Sequence, residues 1–181
     1  MTESIAPLSK LLVPSPVGAM QVFVSDDGVR AIVFEDSDPS RNGVTSEVRS
    51  GRDVPSAHRD VLRRVAEQLT EYFEDGRTEF DLPLAPLGTE FQQLAWQALR
   101  AIPFGETRSY GEQARAIGRP SAVRAIGAAN GRNPLTIVVP CHRVIGSGGS
   151  LTGFTGGLDR KRALLQHEGV LPREASLPFA T

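Results

Sequence analysis

Two prolines, Pro83 and Pro86, stand where the apolar periodicity of this 181-residue chain changes. Proline fixes φ and has no backbone N–H, so neither a central strand nor a helix runs through such a pair. Upstream, apolar residues alternate along short segments; downstream, they recur at helical spacing. The expected fold is therefore α+β: a small N-terminal α/β domain over 1–85, a mainly helical domain over 86–172 and a tail over 173–181.

In the first part, Ala19–Ser25 alternates, Asp26-Asp27-Gly28 is a turn signal, and Val29–Phe34 resumes an apolar run, which together predict a hairpin. Residues 36–56 are rich in Ser, Asp, Gly, Arg and Pro and read as a mobile loop. Val61, Leu62, Val65, Leu69, Tyr72 and Phe73 recur at helical spacing, so Ala57–Phe73 reads as a helix, with Gly76 as its C-cap. Phe80–Leu84 reads as a short edge strand.

In the second part, Thr89 caps a helix whose apolar face is Phe91, Leu94, Ala95, Ala98 and Leu99, with Trp96 beside them. Pro103-Phe-Gly105 stops it. Ser109 caps a short helix to about Ile117, Gly118-Arg-Pro120 turns the chain, and Ser121 caps a helix over Ala122–Ala129. Two short helices around a glycine-containing turn form a helix-turn-helix pattern, which serves DNA binding or plain packing. The second helix carries Ala122, Ala125, Gly127, Ala128 and Ala129, with one long basic residue, Arg124. Such a helix either packs closely inside the protein or lies against DNA with Arg124 projecting into the duplex. Its lack of polar base-reading side chains favours the minor groove over the major.

Charge divides along the same line. Residues 1–85 hold 9 Lys and Arg against 15 Asp and Glu, and residues 86–181 hold 11 against 6. A net basic second half is compatible with phosphate binding. No apolar run is long enough to span a bilayer, and Met1–Lys10 has no basic start followed by an apolar stretch, so a cytoplasmic protein without a membrane partner is expected. The single cysteine, Cys141, excludes an internal disulfide and a cysteine zinc cluster. Neither a metal nor a cofactor is expected, and no obligate protein partner.

The chemistry concentrates in Asn133-Pro-Leu-Thr-Ile-Val-Val-Pro-Cys-His-Arg143. Ile137, Val138 and Val139 read as a buried strand-like run that Pro140 ends. A thiol of pKa ~8.5 is a weak nucleophile at neutral pH and needs a base. His142 is that candidate base, acting directly or through a water, and Glu168, at the end of a helix over Arg160–His167, is the candidate orienting carboxylate. Two glycine-rich stretches follow, Gly146-Ser-Gly-Gly149 and Leu151-Thr-Gly-Phe-Thr-Gly-Gly157, which suit either a backbone-lined pocket or a surface loop.

Pro140-Cys141-His142-Arg143-Val144-Ile145-Gly146, with Gly153-Phe-Thr-Gly-Gly157 and His167-Glu-Gly169 downstream, resembles the O6-alkylguanine-DNA alkyltransferase family, the methylated-DNA–protein-cysteine S-methyltransferases. The likeness runs from about Leu87 to Gly169 and includes Gly88-Thr-Glu-Phe-Gln92, Ile102-Pro-Phe-Gly-Glu-Thr107, Ser109-Tyr-Gly111 and Arg124-Ala-Ile-Gly127. Upstream it is looser, with Ser15-Pro-Val-Gly18 the best piece.

This resemblance implies a ribonuclease-H-like N-terminal domain and a winged helix-turn-helix in the C-terminal one. It implies direct reversal of damage: a suicide transfer of an alkyl group from O6-alkylguanine in double-stranded DNA to Cys141 after base flipping, with O4-alkylthymine a second candidate substrate and copies that could cluster along DNA. His142 would deprotonate Cys141 through a water, Glu168 would polarise His142, and Asn133 would brace the turn. Tyr110 would donate toward N3 of the leaving guanine, and Arg124 would fill the gap left by the flipped nucleotide. The carbonyls of Cys141 and Val144 would read the exocyclic amine, and the amide of Thr155 would face O6, beside Phe154 and Gly156. Gly111, Arg119 and Ser147 match positions that touch DNA. Phe154 departs from the family's tyrosine, which removes one hydrogen bond to O6 worth roughly 0.5–1.5 kcal/mol. Two other classes remain open at this point: a sensor that binds alkylguanine without transfer, and a cysteine hydrolase, which would leave the helix-turn-helix unexplained.

Overall fold

The computed structural model describes residues 7–44 and 47–172 and divides the chain into two compact units, 1–87 and 88–181. The expected tail over 173–181 lies outside the described residues.

In the first unit β1 (Leu8–Val13), β2 (Met20–Ser25), β3 (Gly28–Phe34) and β4 (Val48–Arg49) form one sheet in the order β3-β2-β1-β4. β1–β2 and β2–β3 are antiparallel, and β4 joins β1 in parallel. The expected hairpin is β2–β3, with Asp26 and Asp27 in its turn. Gly28 is required there: at φ +131 a Cβ would sit 2.2 Å from the Pro83 carbonyl oxygen. Leu8, Phe23, Ala31, Val33 and Val44 form one core cluster. α1 (Ser56–Glu74) lies across the strands and buries Leu62, Val65, Leu69 and Tyr72. His58 ties the parts together, with Nδ1 bonded to the Ser9 hydroxyl and Nε2 to Asp26, each at 2.8 Å.

Two expectations change in this unit. Phe80–Leu84 is not a strand: only Leu84 bridges to Val29, because Pro83 and Pro86 supply no N–H to extend a ladder. Residues 36–56 contain β4 and two short 3₁₀ turns, Pro39–Asn42 and Gly51–Asp53, and bury Val44 and Val54.

The second unit holds α2 (Glu90–Arg100), β5 (Arg108–Ser109), α3 (Tyr110–Ala116), α4 (Val123–Gly131), β6 (Val144–Ile145) and α5 (Leu158–His167). Thr89 and Ser109 each close a capping box, Thr89 with Gln92 and Ser109 with Glu112. Ser121 does not cap α4. Ala122 occupies that position, because a turn closed by Ala122 N–H to the Arg119 carbonyl carries the chain past Ser121 before the helix begins. Ala95, Ala114, Ile126 and Ala129 form the apolar seam of α2, α3 and α4. Inside it, Gln113 and Asn130 exchange amide hydrogen bonds at 3.0 and 2.8 Å, and Trp96 Nε1 donates to the Ala129 carbonyl. Among the described residues, no helix is long and apolar enough to cross a membrane.

Ile137–Val139 is buried as expected but is not strand-like. The segment coils through short-range bonds, Val138 N–H to Thr136 O and Cys141 N–H to Val139 O, and Ile137 sits at φ +72. A β-branched residue in that region is strained and persists only where its surroundings enforce it.

Candidate active site

Asn133 enforces that coil. Its Oδ1 accepts from Leu135 N–H at 3.0 Å, and its Nδ2 donates to the Val139 carbonyl at 2.7 Å. The coil delivers Cys141 to the start of a 3₁₀ turn, Cys141–Arg143, where the residue is 8% exposed. Burial pushes the thiol pKa up, while a hydrogen bond with the Asn133 side chain and the positive charge of Lys161 pull against that rise. A buried thiol that stays protonated needs a base to react.

His142 is fully buried, and its Nε2 lies 2.7 Å from Glu168 Oε1. Burial opposes charge on Glu168, but the hydrogen bonds and charges of His142 and Arg143 outweigh it and hold the carboxyl well below the usual range. Burial pushes His142 down against the pull of Glu168, and the charges of Arg143 and Lys161 add to the fall. His142 is thus neutral near pH 7. The carboxylate accepts the Nε2 proton, which leaves the lone pair on Nδ1, and Nδ1 has no protein partner among the described residues. It is the ring atom able to take a proton.

Glu168 caps the C-terminus of α5 and is locked by more than His142. Arg143 donates to it from Nε at 2.8 Å and Nη2 at 3.0 Å, and anchors its own Nη1 on the Ile102 carbonyl at 2.6 Å.

β5 and β6 form a two-residue parallel ladder that holds the start of α3 beside the segment after Cys141. Tyr110 opens α3, and its hydroxyl donates to the Thr152 carbonyl at 3.0 Å. Burial raises its pKa, so it keeps its proton. Gly153, at φ +55, passes so close that a Cβ would lie 3.0 Å from the Tyr110 hydroxyl. Thr155 donates its hydroxyl to the Gly131 carbonyl at 3.1 Å, tying the glycine-rich loop to the last turn of α4. Phe154 is partly buried in that loop, and the Gly156 carbonyl accepts from Arg160.

The structure therefore brings together Cys141, His142, Glu168 and Asn133, with Tyr110 and Val144 beside them. Arg124 on α4, Arg119 in the turn before it, Gly111 on the first turn of α3 and Ser147 in the Gly146–Ser150 turn stand apart, in no described contact with the thiol. Arg124 and Arg119 are exposed, and neither side chain has a hydrogen-bond or ion-pair partner among the described residues.

Three participants were not singled out from sequence. Arg143 was visible only as part of the motif. Thr152 acts through its backbone carbonyl, which no side-chain pattern reveals. Lys161 lies in the charged run Asp159-Arg-Lys-Arg162 and reads as solvated surface, yet it is fully buried. Its signal was phase: Lys161 shares a helix face with Leu158, Leu164, Leu165 and Glu168.

Residues 9–86 match the ribonuclease-like domain of 6-O-methylguanine DNA methyltransferase, and residues 90–170 match that protein's DNA binding domain. A methylated-DNA–protein-cysteine methyltransferase of Mycolicibacterium paratuberculosis is 48% identical over 158 residues, covering 86% of this chain and 89% of that protein. Its counterpart in Methanosarcina acetivorans is 44% identical over 86% of this chain and 94% of its own length. Among solved structures, the O6-methylguanine methyltransferase of Mycobacterium tuberculosis superposes with a TM-score of 0.75 at 41% identity, covering 92% of this chain and 96% of that one. With this likeness running through both units and the thiol, imidazole and carboxylate in one buried array, the chain belongs to the 6-O-methylguanine DNA methyltransferase family.

Proposed function

We propose that the chain repairs DNA by direct reversal, moving an alkyl group from O6 of guanine irreversibly onto Cys141. The observation that carries this reading is the His142–Glu168 contact of 2.7 Å, which presents the unpartnered Nδ1 of a neutral imidazole in the residue next to the only thiol. The likeness to a Mycobacterium tuberculosis homologue solved in complex with DNA, TM-score 0.74 at 40% identity, supports DNA as the partner.

The Cys141 proton passes to His142 Nδ1 through a bridging water. The thiolate attacks the alkyl carbon, an S–C bond forms, and the C–O6 bond breaks with its electron pair going to the guanine. The purine then takes a proton at N3 from Tyr110, whose hydroxyl swings from the Thr152 carbonyl. The Cys141 and Val144 carbonyls accept from the exocyclic amine, and the Thr155 amide faces O6, with Phe154 and Gly156 lining the base. O6 is stacked inside the duplex, so the nucleotide must leave the stack. The small side chains of α4 allow close approach of its backbone, and Arg124, exposed and without a side-chain partner among the described residues, is suited to fill the gap. Gly111, Arg119 and Ser147 would touch the DNA backbone or the base. A thioether has no ready route back to a thiol, so each molecule acts once. The thiol works only while reduced, which fits the cytoplasm.

With excess duplex containing O6-methylguanine, repair should stop at one lesion per protein molecule. Continued turnover, or tight binding without loss of the methyl group, would contradict the reading.

A further inference from the structure

Lys161 is a fully buried lysine that the alkyl-transfer scheme leaves unused. Its ammonium donates to the Val144 carbonyl at 2.6 Å and to the Thr152 carbonyl at 2.6 Å. Both acceptors belong to the site. Val144 follows the Cys141–Arg143 turn, and its N–H bonds back to the Cys141 carbonyl. The Thr152 carbonyl is also the resting partner of the Tyr110 hydroxyl. An ammonium has three donors, so one remains after these two bonds.

A lysine is almost never fully buried without a charge or metal to answer it, and here both fixed partners are neutral carbonyls. Two other titratable groups around the thiol already have partners of their own. Glu168 is held by His142 and Arg143, and Tyr110 rests on Thr152. The thiol of Cys141 is the acid whose charge acts on Lys161, and the ammonium acts on the thiol in return.

We propose that Lys161 is a positioning residue for alkyl transfer: anchored on the Val144 and Thr152 carbonyls, its buried ammonium is the counter-charge that Cys141 meets as it becomes a thiolate. This rests on the alkyltransferase reading for the identity of the reaction, but the ionisation of Cys141 can be measured without any DNA. Burial is the main reason His142 stays neutral, and the Lys161 charge adds to it in the same direction. Burial brings the lysine pKa down to about 8, with the thiol pulling it back up, so the ammonium form prevails at neutral pH.

The test separates charge from scaffolding. Lys161→Gln keeps N–H donors for the two carbonyls and loses the charge; Lys161→Arg keeps the charge. Thiolate formation is followed by absorbance near 240 nm and by the pH dependence of iodoacetamide modification of Cys141, the only cysteine. In Lys161→Gln the apparent thiol pKa should rise by about one unit or more, a tenfold loss of thiolate, with a matching loss in methyl transfer; Lys161→Arg should titrate closer to the unsubstituted protein. The unsubstituted protein supplies an independent reading. After Cys141 is converted to S-methylcysteine, the Lys161 pKa, followed by ¹⁵N NMR of the ammonium, should fall because its partner can no longer ionise. A thiol titration unchanged in Lys161→Gln, or a lysine pKa indifferent to methylation, overturns the proposal. A tenfold drop in methyl transfer with unchanged thiol titration would mean that Lys161 only braces the loop, and equally overturns it. If one lesion per molecule is still repaired in that case, the alkyltransferase reading stands without it.

Discussion

Glu168→Gln keeps the size of the side chain and one acceptor oxygen but removes the charge shared by His142 and Arg143. Arg143 is 5% exposed and directs Nε and Nη2 onto that carboxylate at 2.8 and 3.0 Å. Stripping one partner from a buried ion pair leaves an uncompensated charge and costs about 3–5 kcal/mol. A domain holds roughly 5–15 kcal/mol in total, so the variant should unfold far more easily, with Tm lower by at least ~10 °C. Removing both charges should relieve the penalty: Arg143→Met with Glu168→Gln should be more stable than Glu168→Gln alone, with a coupling of ~2 kcal/mol or more. Urea unfolding of the unsubstituted protein, Glu168→Gln, Arg143→Met and the double variant at pH 7 measures this. The pH dependence has a definite sign. The folded pKa of Glu168 lies below its unfolded value of ~4.3, so its contribution is present above that pH and is lost on acidification. The unsubstituted protein should lose stability on acidification more steeply than the Gln variant. A Glu168→Gln protein within about 1 kcal/mol of the parent, or a double variant no more stable than the single, would refute the view that this pair anchors the site.

Arg124→Ala should slow repair in duplex DNA at least ~10-fold more than reaction with free O6-alkylguanine, which needs no flipping; equal losses in single-turnover assays would remove Arg124 from that role. Tyr110→Phe should slow both substrates by roughly 10²-fold or more, because the leaving base needs its proton in either case; a loss confined to duplex DNA would point to a DNA contact instead. Phe154→Tyr should speed methyl transfer several-fold, the worth of one hydrogen bond of ~1 kcal/mol, since the neighbouring Thr155 hydroxyl is committed to Gly131. A clear slowing would place residue 154 away from O6.

What the sequence made legible follows periodicity and capping. The β2–β3 hairpin, α1, α2 and α3 are written in alternation, helical spacing and two capping boxes, all local signals. β1 and the short β4 carry no comparable local mark, since β4 exists only through its parallel pairing with Leu8 and Ser9. Ile137–Val139 misled because a β-branched run has strand character, whereas the Asn133 side chain holds it in a coil that only tertiary context specifies. In the site, Cys141, His142 and Glu168 were readable from their chemistry and motif. Lys161 was not, because a lysine amid charged neighbours looks solvated until the helix phase is weighed against them.

The most direct test of the account is where the methyl group goes. The protein is mixed with duplex DNA carrying an isotopically labelled O6-methylguanine, digested, and its peptides are weighed. One label per molecule is expected, as S-methylcysteine in the peptide that contains Cys141, and no label in Cys141→Ser. Label on any other residue, or continued demethylation by Cys141→Ser, would contradict it.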